Sequence, residues 1–436
     1  MNTYPAYKDS GVEWIGEIPS EWGVVRNKYL FDVTKNVVGE ESDKYQLLSL
    51  TKRGVVLRDV ESGRGKFPES FDTYQTVDKD DLIFCLYDID ETPRTIGISN
   101  FSGMITGSYK VVKCNTLTDS KFIYYNYLSI DDVKGLKPYY TGLRKVVRME
   151  TFLNLSVRVP SLQEQQQISD YLDNKTSKID TLLEKTQQKI ELLKEQRTSL
   201  INTTVTKGLN PHVEMKDSGV EWIGDIPSGW VRTKISYYCE VKDGTHDTPE
   251  FVDKGQQTFP LVTSKSFVKN DIDFNQCKHI SEVDYLEINR RSDVEKEDII
   301  MSMIGGNIGK NVLVTNNKKF SIKNVCLFKT SKSNDIVPKY LIYLIDSEIL
   351  KSQIDISQKG GGQPFISLGE IRNLIFPFPP HQEQQQIVDY LDFETSKIDK
   401  LVDIESKRII LLKEYRQSLI SDVVTGKVDV RDEVLV

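Results

Sequence analysis

The chain has 436 residues, 38% apolar and 28% charged. That is enough for about three domains' worth of core and reads as a folded, water-soluble protein. Lys and Arg number 57 against 64 Asp and Glu, a net charge of −7, which excludes a uniformly basic nucleic-acid coat but not local basic patches. No apolar run approaches the roughly 20 residues of a membrane span. Residues 1–20 carry Lys8, Asp9, Glu13 and Glu17 where a leader would be apolar, so no membrane partner and a cytoplasmic location are expected.

In chain order, the first feature is a short segment, 7–22, containing KDSGVEWIG (Lys8–Gly16), then Ile18-Pro19-Ser20 and Trp22. Residues 23–160 follow with short β-type runs at Val24-Val25, Leu47–Leu50, Asp81–Leu86 and Val111-Val112, and one helical stretch at Lys121–Ile130. Residues 163–206 contain no Gly or Pro, begin behind a capping-box pattern (Ser161-x-x-Glu164) and stop at Gly208. Their apolar positions fall at a 4,3 spacing: Ile179, Leu183, Thr186, Ile190, Leu193, Arg197, Leu200. That is a heptad seam with polar breaks, on a helix of about 60 Å at 1.5 Å per residue. A helix of that length with one apolar stripe needs a partner.

The rest of the chain repeats this order. KDSGVEWIG returns at Lys216–Gly224 within segment 215–230, followed by Ile226-Pro227-Ser228 and Trp230. Of the 47 positions from Gln163 to Leu209, 27 are identical 219 places later, and the seam recurs as Ile398, Val402, Glu405, Ile409, Leu412, Arg416, Leu419. Between the two blocks, residues 231–379 share only landmarks with 23–160. They read as β-runs at Asp298–Met303, Asn311–Val314 and Val325–Phe328, with one helix at Pro338–Ile349. The expected organisation is a domain over 1–160, a helix over 161–208, a second domain over 209–379 and a second helix over 380–428. The fold class is α+β, with two mixed domains separated by two long helices that pair as an antiparallel coiled coil about a pseudo-two-fold axis.

Catalytic motifs are missing. Gly305–Lys310 fails as a phosphate loop, because Ile304 stands where its first Gly belongs and Asn311 where it needs Ser or Thr. Pro379-Pro380, flanked by Phe378 and His381, does not make the Asn/Asp-Pro-Pro-aromatic tetrapeptide of amino-methyltransferases. Glu240-Val-Lys242 and Asp132-Val-Lys134 match the tail of a nuclease motif, but three-residue matches arise often by chance. Cys85, Cys114, Cys239, Cys277 and Cys326 form no Cys-x-x-Cys pair, and four scattered histidines have no zinc spacing. No metal, cofactor or catalytic residue is assigned.

Charge is uneven. Val133–Met149 has no acid but holds Lys134, Lys137, Arg144, Lys145 and Arg148; Ile299–Asn334 has no acid and holds six lysines, Lys310 and Lys323 among them. Such stretches, with Tyr139, Tyr140 and Phe320 interleaved, suit positioning on phosphates.

The layout resembles the specificity subunit of type I restriction–modification systems. The residues that carry the likeness are Asp9–Gly16, Ile18-Pro19 and Trp22 with their repeat, together with Val159-Pro160…Gln163-Glu164-Gln165…Ile168 and Pro379-Pro380…Glu383-Gln384…Ile387. The resemblance implies two target recognition domains, each reading one half of a split, asymmetric site in double-stranded DNA. It also implies docking of two adenine-N6 methyltransferase subunits and, in the full complex, two restriction–translocase subunits, with all cofactors held by those partners. The implied DNA contacts are Lys52, Arg53, Arg94, Arg144 and Lys145 in the first domain, and Thr245, His246, Lys265, Asn307, Lys310 and Gln363 in the second. Gln pairs with adenine and Lys with guanine. The implied partner contacts are Trp14, Trp22, Gln163, Glu164, Trp222, Trp230, Glu383 and Gln384. Two other readings stay open: a fused enzyme, which lacks its cofactor motifs, and a coiled-coil adaptor, which leaves the paired cationic stretches without a role.

Overall fold

A computed structural model of the chain describes residues 2–33, 36–59, 70–142, 145–268, 270–357 and 364–433. It divides into two units: Met1–Gln187 with Lys407–Val436, and Gln188–Ser406. Each unit therefore holds one mixed domain and one half of each long helix.

In the first unit, hairpin Tyr7–Asp9/Glu17–Pro19 leads into strand Gly23–Arg26, which pairs antiparallel with Ser156–Val159. The two ends of the domain are thus tied together where the first long helix, Leu162–Lys207, begins. A four-stranded antiparallel sheet carries the core, in the order Phe31–Asp32, Lys110–Cys114, Leu82–Phe84, Ile96–Ile98. Helix Ser120–Asp132 lies next in the chain, capped by the Asp119 carboxylate, which accepts from Phe122 N at 2.7 Å. A further hairpin, Leu48–Thr51/Gly54–Leu57, packs on the sheet at Gly97, where a Cβ would come within 2.7 Å of Leu50 and Val55 methyls.

The second unit repeats the plan. Hairpin Met215–Asp217/Asp225–Pro227 precedes strand Val231–Lys234, paired with Ile375–Phe378. Its four-stranded sheet runs Val241–Asp243, Val325–Phe328, Ile299–Ser302, Asn311–Leu313. An added three-stranded sheet orders Lys278–Ser281, Thr258–Val262, Ser321–Ile322. The helical stretch expected at Pro338–Ile349 divides into Pro338–Ile345 and Glu348–Ser357. Helix Glu282–Arg291, which the sequence reading lacked, starts at the Ser281 cap.

The long helices, Leu162–Lys207 and His381–Val424, pair antiparallel as expected. In the second unit Lys189 Nζ meets Glu405 at 2.6 Å and Arg197 meets Asp399 at 3.0 Å, so partner numbers fall as the first helix advances. In the first unit Arg416 makes the same bond to Asp180 at 2.9 Å, with the helices' roles exchanged. These pairs account for three polar breaks in the seam: Glu405, Arg197 and Arg416 each bond across it, and Glu405 is buried. Thr186 bonds its own helix instead, at Leu182 O. Every seam position is buried or half-buried.

Candidate nucleic-acid interface

In the second unit four separate segments converge on a cleft of about 550 Å³. Lys265 comes from the turn after Thr258–Val262, Lys278 from the neighbouring strand, Asn307 from the Gly305–Asn307 turn, and Lys323-Asn324 from the turn before Val325. Gln276 adds a third amide, and among the described residues no carboxylate lines the cleft. Lys278 Nζ lies 4.3 Å from the Phe251 ring centroid, a cation–π contact on the same wall. Three cations, three amides and an aromatic ring without an acid make a surface that attracts phosphate and offers donors and acceptors to base edges.

The structure brings together some predicted residues of this unit and separates others. Lys265 and Asn307 share the cleft. Thr245 and His246 adjoin it: Thr245 bridges to Lys323 through the backbone, and Lys323 Nζ donates to His246 O at 2.7 Å. His246 Nε2 sits 3.0 Å from Asp243 Oδ2, a buried carboxylate that also takes Arg291 at 2.7 Å. Thr245, however, lines a smaller cavity bearing Asp247, Asp284 and Glu287. Lys310 does not line the basic cleft but an adjoining cavity with Asp346, Glu348 and Asp355, and donates to Phe267 O at 2.7 Å. Gln363 lies outside the described residues. Lys278, Gln276 and Asn324 were missed, and only assembly of four distant segments reveals them.

In the first unit Lys52 and Arg53 are exposed at the tip of the Leu48–Leu57 hairpin, with Arg53 N donating to Thr51 Oγ1 at 3.1 Å. Arg94 is half-buried and donates to Tyr124 OH at 2.9 Å. Lys145 bonds Glu91 at 2.8 Å and Asp90 at 3.3 Å, which raise its pKa in that order. Arg144 lies outside the described residues.

The acid-free stretches are therefore less cationic in space than in sequence. Lys134 pairs with Asp131, Lys137 and Lys145 with Asp90, and the buried Lys329 with Asp298 and Glu295. Carboxylates arrive from outside each stretch and neutralise much of it.

The predicted partner residues divide by burial. Trp14 and Trp222 are 38% and 36% exposed, Gln163 is exposed and Glu383 half-buried. Trp22, Trp230, Glu164 and Gln384 are interior, which corrects the expectation that they face a partner. Trp22 Nε1 donates to Glu164 Oε1 at 3.0 Å, and Trp230 Nε1 to Glu383 Oε2 at 3.1 Å. The Glu164 carboxylate, spent on Trp22 and Tyr4 OH (2.7 Å), leaves the capping box half formed, with only Ser161 Oγ accepting from Glu164 N at 3.3 Å. Gln384 ties two segments of the second domain together, accepting from Val337 N at 2.9 Å and donating to Pro379 O at 3.1 Å. Against each Trp ring packs a left-handed glycine just past the end of the other long helix. A Cβ at Gly426 would lie 2.5 Å from Pro19 and 3.3 Å from the Trp22 ring; one at Gly208 would lie 3.1 Å from the Trp230 ring.

The long helices also expose apolar side chains at matching positions of the repeat: Leu182 (41%) with Leu401 (43%), and Leu192 (63%) with Leu411 (63%). Among the described residues no group of His, Cys, Asp and Glu could hold a metal, and no helix is long and apolar enough to cross a membrane.

A family model described as the type I restriction modification DNA specificity domain matches residues 19–192 and again 227–414. The chain is 24% identical over 328 residues to the type I restriction enzyme MjaVIII specificity subunit of Methanocaldococcus jannaschii, covering 74% of this chain and 73% of that one. It is 20% identical over 292 residues to the EcoBI specificity subunit of Escherichia coli, covering 65% of this chain and 60% of that one. Among solved structures, the HsdS subunit from Thermoanaerobacter tengcongensis matches with a TM-score of 0.54 at 13% identity, over 94% of this chain and 98% of that one. A chain from a study of complex assembly and conformational transition in the type I R-M system matches with a TM-score of 0.66 at 14% identity, over 94% and 99%. The family match spans both halves of the repeat, and the chain belongs to the type I restriction–modification specificity subunits, whose part is DNA recognition and not catalysis.

Proposed function

We propose that the chain reads a bipartite, asymmetric DNA site, one half through each domain, and carries two adenine-N6 methyltransferase subunits, with two restriction–translocase subunits joining in a full complex. The observation that carries this reading is a repeated frame bearing unlike surfaces. The same Trp–Glu bond and the same Arg–Asp bond across the helix pair recur in both units. The basic cleft of Lys265, Lys278, Lys323 and Asn307, in contrast, lies in the second domain, and among the described residues the first offers Lys52 and Arg53 on a hairpin tip. Like frames suit like partners docked twice, and unlike surfaces suit unlike half-sites. Leu192 and Leu411, with Trp14 and Trp222, are exposed at matching positions of the repeat, which supports like partners docking twice. The methyl donor, ATP and Mg²⁺ then belong to the partners, and an adenine leaves the stack in the partner's site.

Co-expression with a methyltransferase subunit tests the reading. The complex is expected to methylate two adenines on opposite strands of a split site, and the chain alone none. Methylation by the purified chain, or a complex indifferent to sequence, would count against it.

A further inference from the structure

A cavity of about 570 Å³ in the first unit, lined by Tyr7, Trp14, Ile15, Glu17, Arg158 and Lys427, has no part in DNA reading as described above. Its unusual member is Arg158. This side chain stands on the edge of strand Ser156–Val159, opposite Val24, and is only 7% exposed. Among the described residues no carboxylate or carbonyl bonds its guanidinium, and burial alone, with no anion opposing it, pushes its pKa down to about 10. A charge taken out of water without a partner is unfavourable, and a guanidinium is built to bind a carboxylate in two parallel hydrogen bonds. The walls beside it are aromatic and open: Trp14 is 38% exposed and Tyr7 40%.

The repeat supplies an internal comparison. At the same strand register in the second unit, opposite Arg232, stands Pro377. Trp222 keeps the exposed indole there, but the cation moves to the facing strand as Arg232, which is exposed to solvent and not buried. The two Trp segments therefore share an apolar contact and differ in how the cation is held: buried without a partner at Arg158, in water at Arg232.

We propose that the Trp14–Arg158 cavity takes a single carboxylate from a partner protein, set beside an apolar side chain that packs on Trp14 and Tyr7, and that only the first copy of the repeat does so. DNA phosphate is disfavoured because Asp9, Glu13 and Glu17 are exposed along the same segment, and an extended polyanion would meet them. A single carboxylate meets only Glu17 of these, and Lys427 lines the same cavity. The proposal deepens the reading of this segment as a docking site, and its test needs neither DNA nor methyltransferase, so the two fail separately.

The test titrates the full chain with 3-phenylpropionate, 3-phenylpropanamide and phenyl phosphate, following heat and indole fluorescence. Phenylpropionate is expected to bind saturably, and about tenfold more tightly than the uncharged amide, as expected for a charge-assisted hydrogen bond. Arg158→Gln is expected to remove that preference while melting no earlier than the parent. Should Arg158→Gln melt early, Trp14→Ala, at an exposed position, provides the second variant and is expected to weaken phenylpropionate severalfold. Equal binding of acid and amide, no saturable binding, phenylpropionate affinity unchanged in either folded variant, or phenyl phosphate binding much more tightly than phenylpropionate would each overturn the proposal.

Discussion

Trp22→Ala is expected to cost about 3–5 kcal/mol of folding stability, the range for truncating a large buried aromatic. The indole is fully buried and meets Tyr4 and Phe122 edge-on at 5.7 and 6.4 Å. Gly426 packs closely against both Pro19 and the indole, and the surroundings relax only partly into the space left behind. The substitution also takes one of two hydrogen bonds from the Glu164 carboxylate, itself only 6% exposed. Trp22→Phe separates the two losses: it keeps most of the apolar volume but not the Nε1 donor, and should cost about 1–3 kcal/mol. Urea unfolding followed by far-ultraviolet circular dichroism measures both. A cost below about 1 kcal/mol for Trp22→Ala would mean that the Trp–Glu bond does not join the entry segment to the helix as described.

Lys329→Met is expected to cost a similar amount, about 3–5 kcal/mol, because it strips the cation from a buried ion pair. Lys329 and Asp298 are both fully buried, 2.6 Å apart, and Glu295 lies 2.9 Å from the same ammonium. The double variant Lys329→Met with Asp298→Asn should be more stable than the single one, since the orphaned charge is gone. The pair also sets a pH dependence. The Lys329 hydrogen bond is the main cause that lowers Glu295 from 4.5 to about 2, with Lys332 adding to it. A carboxylate depressed on folding stabilises the native state above its unfolded pKa, and that stabilisation is lost as pH falls through the folded value. The parent should therefore lose stability on acidification between pH 4.5 and about 2, and Lys329→Met should show a flatter acid limb across that window.

The repeat and the long helices were legible because a heptad period and a 219-residue offset are properties of the string itself. Even the polar breaks were visible, though not their reason: Arg197, Arg416 and Glu405 sit in the seam because each has an opposite charge across it. Burial was less legible. A Trp in a repeated polar segment reads as exposed, and Trp14 and Trp222 are, yet Trp22 and Trp230 turn inward to glutamates more than 140 positions away. The packing glycines were hidden by a one-place slip, since Gly208 aligns with Lys427 and not with Gly426. Charge misled for a physical reason: an acid-free stretch is not an acid-free surface, and Asp90, Asp298 and Glu295 reach their lysines from other segments. Lys265 and Asn307, implied as DNA contacts by the resemblance, do share a cleft, whereas Lys278 has no local feature that marks it.

We propose that two unlike domains on one repeated frame each read their own half of a site. Methylation-sensitive sequencing of DNA modified by the complex, with the parent chain and with Lys265→Ala plus Asn307→Ala, tests it most directly. Both residues lie in the second domain's cleft, and each lost base contact relaxes discrimination by about 1–3 kcal/mol. The bases of one half-site are expected to become degenerate while the other half-site and the spacer are unchanged. Degeneracy spreading to both halves, or a site identical to the parent's, would contradict it.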